Sequence, residues 1–347
     1  MISKDYKCPQ CGGTLAFDPE SQKLKCNGCG QEYDPSIFAE FETDKMEKSS
    51  YEKEDTNTVT YICQNCGGEL VTDANTSATK CPYCDSTIVL SERMAEEWKP
   101  DKVIPFQIGK EKAKQILRDF YKDKKLLPNA FGDENHINEV IGMYVPYWLF
   151  SGTADASITY DGKKTTSWRS GNYRNTKTDY YALKRAGEVS FQNIPADGSK
   201  KMDDTYMESL EPFDYSKLTS FQMNYLAGYI ADKYDVSKEE HDSRMKERVK
   251  NTCVDKLRVD MGQYSGCSVD SIQKMDVTYS DVDYAMLPVW ILNTKYQDKL
   301  YTFMINGQTG KIAGNLPVDQ EKYKKNFLMR FLISFALLMI INVLIFW

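Results

Sequence analysis

Four Cys-x-x-Cys pairs crowd the first 84 residues of this chain, and no other feature restricts its fold so tightly. Cys8 and Cys11 are followed after fourteen residues by Cys26 and Cys29, and Cys63 and Cys66 after the same interval by Cys81 and Cys84. The second unit repeats the first at an offset of 55, since Tyr6, Gly12, Gly13, Leu15, Asp18 and Lys25 recur as Tyr61, Gly67, Gly68, Leu70, Asp73 and Lys80. Two residues between cysteines give the bite with which one loop offers two sulfurs to one ion, and two such loops on a small hairpin complete a tetrahedral four-thiolate site. The glycines after Cys11 and Cys66 suit a knuckle that enters positive φ and aims backbone N–H groups at thiolates. Each unit therefore predicts one structural Zn2+ with no coordination position left for water. So short a ribbon holds little apolar material, and the metal is expected to supply most of its folding free energy, about 10–16 kcal/mol. A disulfide framework or a redox pair fits less well. No secretory signal precedes residue 8, which implies a reducing compartment, and a redox pair would sit once at a helix start. Cys253 and Cys267 have no partner at short spacing and read as ordinary semi-buried thiols.

Residues 6–29 and 61–84 resemble the zinc ribbons of the TFIIB-type and rubredoxin-like group. Some ribbons of that group touch nucleic acid, so charge is a test. Residues 1–92 carry eight Lys, no Arg and sixteen acidic side chains, a balance of −8 before two zinc-tetrathiolate centres each add −2. That surface repels phosphate backbones, and nucleic-acid binding by the ribbons is disfavoured. The stretch 40–55, EFETDKMEKSSYEKED, carries charges of both signs and only three side chains fit for burial, so it reads as a linker or a solvated helix between semi-independent ribbons.

The other end is apolar. From Phe331 to the last residue there is no charge, and the 21 residues 327–347 reach about 31 Å as a helix, close to a bilayer core of about 30 Å. Apolar side chains cover the whole circumference, which favours a transmembrane helix over an amphipathic one. Lys322, Lys324, Lys325 and Arg330 flank its amino-terminal side, so the positive-inside rule predicts a single-pass, tail-anchored protein of the cell membrane with a cytoplasmic N-terminus.

Between the ribbons and the tail the pattern is α+β. Helices are predicted over 110–122, 218–234 and 238–260. Strands are predicted over 143–150 and 154–160 with a turn at Asp161-Gly162, and over 286–293, 299–305 and 311–313 with a turn at Asn306-Gly307. Two echoes raise an internal duplication: Val145-Pro146-Tyr147-Trp148 against Leu287-Pro288-Val289-Trp290, and Ile104-Pro105-Phe106 against Glu211-Pro212-Phe213. The predicted fold class is thus multidomain: zinc ribbon 1 (1–34), charged linker (35–57), zinc ribbon 2 (58–95), an α+β domain open to duplication (96–319) and one C-terminal transmembrane helix (327–347).

Catalytic patterns are not found. His136 and His241 lie in polar segments without a nucleophile nearby and read as exposed or capping residues. Gly307-Gln308-Thr309-Gly310-Lys311 lacks the spacing of a phosphate loop and reads as a turn. Residues 163–201 hold nine basic and three acidic side chains among Trp168, Tyr173, Tyr180 and Tyr181. That composition fits single-stranded nucleic acid or an anionic membrane, with Lys163, Arg169, Arg174 and Lys177 as lipid contacts, and the plainest reading is a solvated hairpin face. The whole layout resembles membrane-anchored TFIIB-type zinc-ribbon proteins of Gram-positive bacteria. The resemblance implies a role in membrane stress or envelope organisation beside phage-shock-protein-A-like or SPFH-type membrane proteins. The function expected is a non-enzymatic membrane adaptor that recruits proteins, and the alternative is a membrane-tethered nucleic-acid-binding protein.

Overall fold

The structure, a computed structural model, describes residues 6–42, 58–62, 69–73, 76–80, 87–89, 99–202, 204–258, 262–264 and 266–346. The first ribbon is a small meander of β1 (Leu15–Asp18), β2 (Lys23–Cys26) and β3 (Glu32–Tyr33), followed by a 3-10 turn over Pro35–Glu42. In the second unit β4 (Thr58–Ile62) pairs β5 (Glu69–Asp73), and β6 (Thr76–Lys80) pairs β7 (Thr87–Val89). Tyr61 faces Leu70 just as Leu15 N bonds Tyr6 O at 2.8 Å, so the two units share a backbone register as well as a cysteine spacing.

The middle of the chain runs β8 (Lys102–Val103), α1 (Lys110–Lys122), α2 (Glu134–Ile137), β9 (Ile141–Ser170), β10 (Tyr173–Asp197), α3 (Asp204–Ser209), β11 (Thr219–Ser220), β12 (Ile230–Asp232), α4 (Asp242–Leu257), β13 (Gly266–Tyr296), β14 (Lys299–Asn306) and β15 (Ile312–Gly314). Of the second unit, β6 and β7 join the described strands of the middle in one ten-stranded sheet, while β4 and β5 form a two-stranded sheet of their own; the spine of the large sheet is the antiparallel pairing of β9 with β13 from Gly266↔Lys163 to Ile291↔Ile141. Both strands are apolar runs where they cross the core, and Tyr144, Val145, Leu287 and Val289 are fully buried between layers of helix and loop.

The two Pro-x-Trp segments meet near the Ile141/Ile291 end of that spine. Val145 pairs with Leu287, and around this point the contacts repeat with exchanged roles. Trp148 Nε1 donates to Val236 O and Trp290 Nε1 to Ile108 O, both at 2.9 Å. Gly198 N donates to Pro146 O and Gly307 N to Pro288 O, both at 2.8 Å. β12 runs parallel to β9 and β8 parallel to β13. Each half thus lays its short first strand on the long strand of the other half, an interlocked arrangement about a local dyad.

Several readings from sequence are corrected here. The place of Ile104-Pro105-Phe106 in the other half is taken by Asp232-Lys233-Tyr234, where Tyr234 packs edge-on to Trp148 as Phe106 does to Trp290, and not by Glu211-Pro212-Phe213. Residues 218–234 are not a helix. They form β11, a 3-10 turn over Met223–Leu226 and β12. Gly228 sits at φ +96, and a Cβ there would come within 3.1 Å of Ala16 Cβ, so this segment is shaped by the ribbon docked on it. Nor does β9 turn at Asp161-Gly162. It runs on to Ser170 and reverses at Gly171, φ +58. The ribbons are not semi-independent either. Phe17 N bonds Ala227 O at 2.8 Å, Asn224 Nδ2 bonds Pro35 O at 2.6 Å, and Ala78 of β6 pairs Ala231 of β12. Leu15, Phe17 and Leu24 belong to the same buried cluster as Phe106, Tyr229 and Trp290.

The helix α5 (Gln320–Phe346) leaves the domain from a capped start. Asp319 Oδ1 accepts from Glu321 N and Lys322 N, while Lys322 Nζ reaches Leu127 O and Asn129 Oδ1, each at 2.6 Å. Beyond that pin, residues Gln320–Asn342 touch no core, none of that stretch being buried, and the helix is long and apolar enough to cross a membrane.

The dyad also contains an asymmetry that can be measured. Asn306 ends β14 with Oδ1 accepting from Gln308 N and Thr309 N and Nδ2 donating to Leu210 O. Its counterpart, Asp197, is only 4% exposed, accepts from Ser199 N through Oδ1 and has no hydrogen-bond partner at Oδ2 among the described residues. Burial, and then the nearby Asp204 carboxylate, push Asp197 up to about 7 from the ordinary 3.8. The folded chain therefore holds a proton that the unfolded chain releases, and stability falls as pH rises between those two values. Asp197→Asn flattens that slope and raises stability above neutral pH by roughly 2 kcal/mol, which urea unfolding of the detergent-solubilised chain on either side of pH 7 will read.

Candidate metal centre

Two knuckles present the four sulfurs of the first ribbon. In each, the carbonyl of the leading cysteine accepts from a glycine four residues on: Gly12 N to Cys8 O at 2.8 Å and Gly30 N to Cys26 O at 2.9 Å. Both glycines are left-handed, at φ +72 and +75, a conformation that the absent Cβ permits. The β1–β2 hairpin then pairs Leu15 with Cys26 and brings the knuckles face to face.

The Sγ atoms of Cys8, Cys11, Cys26 and Cys29 all lie within 4.8 Å of one another. Cys8 to Cys29 is 3.7 Å and Cys11 to Cys26 is 3.5 Å. A tetrahedron with zinc–sulfur bonds of about 2.3 Å has edges of about 3.8 Å, so the cluster fits Zn2+. Cys8 and Cys26 are buried, Cys11 and Cys29 exposed, and the centre sits at the surface with no ligand position to spare.

The protonation pattern points the same way. The Tyr33 hydroxyl, 3.2 Å from Cys8 Sγ, pulls the Cys8 thiol down to about 6. The backbone amide bonded at Cys26 lowers that thiol too. At Cys11 the Gly13 amide favours the thiolate, but Cys26, Cys29 and Cys8 together hold the thiol up to about 12. Four sulfurs this close cannot all ionise without a cation among them. Bound zinc would be a structural cross-link held by these four thiolates. Gly13 keeps the approach open, because a Cβ there would stand 3.0 Å from Cys26 Sγ and 3.3 Å from Cys11 Sγ.

Tyr33 was not legible as a partner of the site. It falls outside the repeated residues, and the second unit has Ile88 at the matching position and Tyr83 and Asp85 where the first has Gly28 and Gly30. The predicted second site, Cys63, Cys66, Cys81 and Cys84, lies outside the described residues. The strands that flank it, β4 with β5 and β6 with β7, are in place. Of the histidines, His136 bonds Thr294 Oγ1 through Nε2 and Glu139 through Nδ1. His241, read from sequence as exposed or capping, is instead buried at the end of the 3-10 turn Lys238–His241, and burial draws its pKa down. Gly307–Gly310 forms the turn between β14 and β15, with Asn306 N bonded to Lys311 O at 2.8 Å.

Ribbon and domain enclose a cleft of about 780 Å3, lined by Phe17 and Glu20 of the ribbon, Thr79 of β6, Gly109 before α1, and Tyr229 and Trp290 of the core. Fold and site together define a four-cysteine zinc-binding domain built onto a sheet-rich body with one apolar C-terminal helix. Residues 7–34 match the family of Trm112p-like proteins. The chain is 34% identical over 325 residues to the uncharacterized protein YdjG of Bacillus subtilis (strain 168), a match covering 91% of this chain and 91% of that protein. The chain belongs to the YdjG family. No solved structure matches it.

Cys26→Ser removes one zinc per chain in elemental analysis of the purified protein. Tyr33→Phe keeps the zinc but loses it about tenfold more readily in competition with a chromogenic chelator, because the thiolate of Cys8 has lost its hydroxyl donor. An unchanged chelator competition in Tyr33→Phe would contradict that role.

Proposed function

We propose that the chain is a non-enzymatic adaptor fixed to the cytoplasmic face of the cell membrane by α5, with its zinc-braced ribbons as the partner-recruiting end. The observation that carries this reading is α5 itself: pinned at Lys322 and bare of contacts along its apolar length, with no part of Gln320–Asn342 buried. A core helix of a soluble domain would be covered. Lys322, Lys324, Lys325 and Arg330 at its near end favour a cytoplasmic body, which agrees with thiolates kept reduced for metal. The acidic ribbons are displayed on the body at the segment 223–232, beside the cleft between ribbon and core. Four structural thiolates leave no open position for chemistry, in keeping with a recognition role. The second four-cysteine unit would hold a second zinc and double the recognition surface, in the manner of TFIIB-type ribbon pairs. A role in membrane stress or envelope organisation, with phage-shock-protein-A-like or SPFH-type partners, follows from the resemblance of the layout.

Full-length protein tagged at its native level, compared with a Cys26→Ser/Cys81→Ser form, tests the reading. The double variant should stay in the membrane fraction and lose the proteins that co-purify with the parent. An unchanged partner set would overturn the adaptor assignment.

A further inference from the structure

β9 and β10 outrun everything that covers them. Tyr160 is the last large buried side chain of β9, held by its hydroxyl bond to Val254 O and packed with Ile158, Leu257 and Tyr264, and Gly162 beyond it is the last buried position. β13 stops pairing at Lys163↔Gly266. Past that point the arm is a bare two-stranded hairpin whose tip stands about 30 Å beyond Tyr160 at 3.3 Å per residue. Two strands without a packed face are marginal in water, and the described contacts here lie within the ribbon itself: hydroxyl pairs Thr165–Thr178 and Ser167–Thr176, Lys163 over the Tyr180 ring, Lys177 with Asp179, and the pairing ladder.

The composition of that tip is not that of an inert solvated turn. Trp168 is 50% exposed, Tyr173 78% and Tyr180 72%. The register puts Arg169 directly opposite Arg174, on the face that also carries Lys163 and Tyr180, while Trp168 and Tyr173 share the other face with Lys164 and Lys177. Like charges placed opposite one another destabilise a strand pair, and among the described residues neither arginine has a carboxylate in reach. Asp179, the one acid of the tip, is bound to Lys177. Residues 163–180 thus offer exposed aromatics and uncompensated guanidinium groups on a narrow ribbon, without the groove that tracks a nucleic-acid strand. Trp and Tyr favour the headgroup level of a bilayer, and arginine pairs bind phosphate oxygens there.

We propose that the hairpin tip 163–180 is an interfacial contact with an anionic bilayer, in which Arg169 and Arg174 hold lipid phosphates and Trp168 and Tyr173 enter the headgroup region. The proposal deepens the membrane-anchored reading and rests on it only for the presence of a bilayer. α5 then fixes the body at one point and the arm is a second lipid contact.

The test uses full-length protein in proteoliposomes, with Trp168 emission taken as the difference between the parent and Trp168→Phe. With about 30% phosphatidylglycerol the Trp168 signal should shift to the blue and be quenched by brominated lipid, and the effect should vanish in zwitterionic bilayers or near 0.5 M salt. Arg169→Gln/Arg174→Gln should weaken the lipid response by about 30-fold in anionic-lipid titration, whereas Arg169→Lys/Arg174→Lys should keep most of it. Emission indifferent to anionic lipid, or an unchanged response in the Gln pair, overturns the proposal. So does Trp168 quenching by single-stranded DNA that anionic lipid cannot reproduce, which would assign the tip to nucleic acid. Retention of the Gln pair in alkali-washed vesicles is scored separately, so failure of the tip and failure of the anchor give different results.

Discussion

The pairing of β9 with β13 is the interaction on which the rest of the molecule depends. Near its Ile141/Ile291 end Val145 meets Leu287, and on either side a tryptophan indole donates to a carbonyl of the opposite half. Buried Trp N–H groups need such partners, and here the partners are the turns that start α1 and the 3-10 entry to α4. The two halves therefore cannot be laid down one after the other: each supplies the short parallel strand and the carbonyl that the other lacks. The same spine carries the dock for the ribbons, since β12, laid on β9, pairs β6 on its far side, and its preceding loop receives Phe17.

Metal and core are linked through that dock. Leu15, Phe17 and Leu24 of the ribbon are as deeply buried as Phe106 and Trp290, and they belong to one cluster. The ribbon thus contributes three side chains to the core of a much larger body, worth about 1.5–3 kcal/mol each when fully buried. Zinc bound at the four cysteines would therefore also set the shape of the cleft beside Tyr229. The dock at Ala227 and Asn224 gives the first ribbon a fixed seat on the body.

What the sequence made legible follows from how local the cause was. Cysteine spacing, the glycines of the knuckle and the apolar tail are short-range signals, and the site formed by Cys8, Cys11, Cys26 and Cys29 stands where they put it. α1 matches its 3.6-residue pattern over 110–122 because its apolar face is complete in itself. Residues 218–234 carried a helical pattern too, but their backbone is set by partners more than 180 residues away, Ala16, Phe17 and Pro35, and Gly228 adopts the φ that those partners require. The turn at Asp161-Gly162 failed for a related reason. A strand continues where a neighbour continues to pair it, and β13 and β10 both do so at Gly162. Tyr33 and the Asp197–Asn306 asymmetry are products of the fold alone.

The mild net charge of −6 spreads unevenly along this frame, acidic around the zinc ribbon and basic at the arm and beside α5. That polarity, together with a helix bare along its apolar length, makes membrane anchorage the claim from which the other functional statements descend. Alkaline extraction of native membranes followed by protease treatment of inverted vesicles tests it most directly. The account predicts that the full chain stays with the lipid pellet and that protease removes the ribbons and the sheet, leaving a fragment that begins near Gln320. Release of intact chain into the supernatant, or ribbons protected in inverted vesicles, would contradict it.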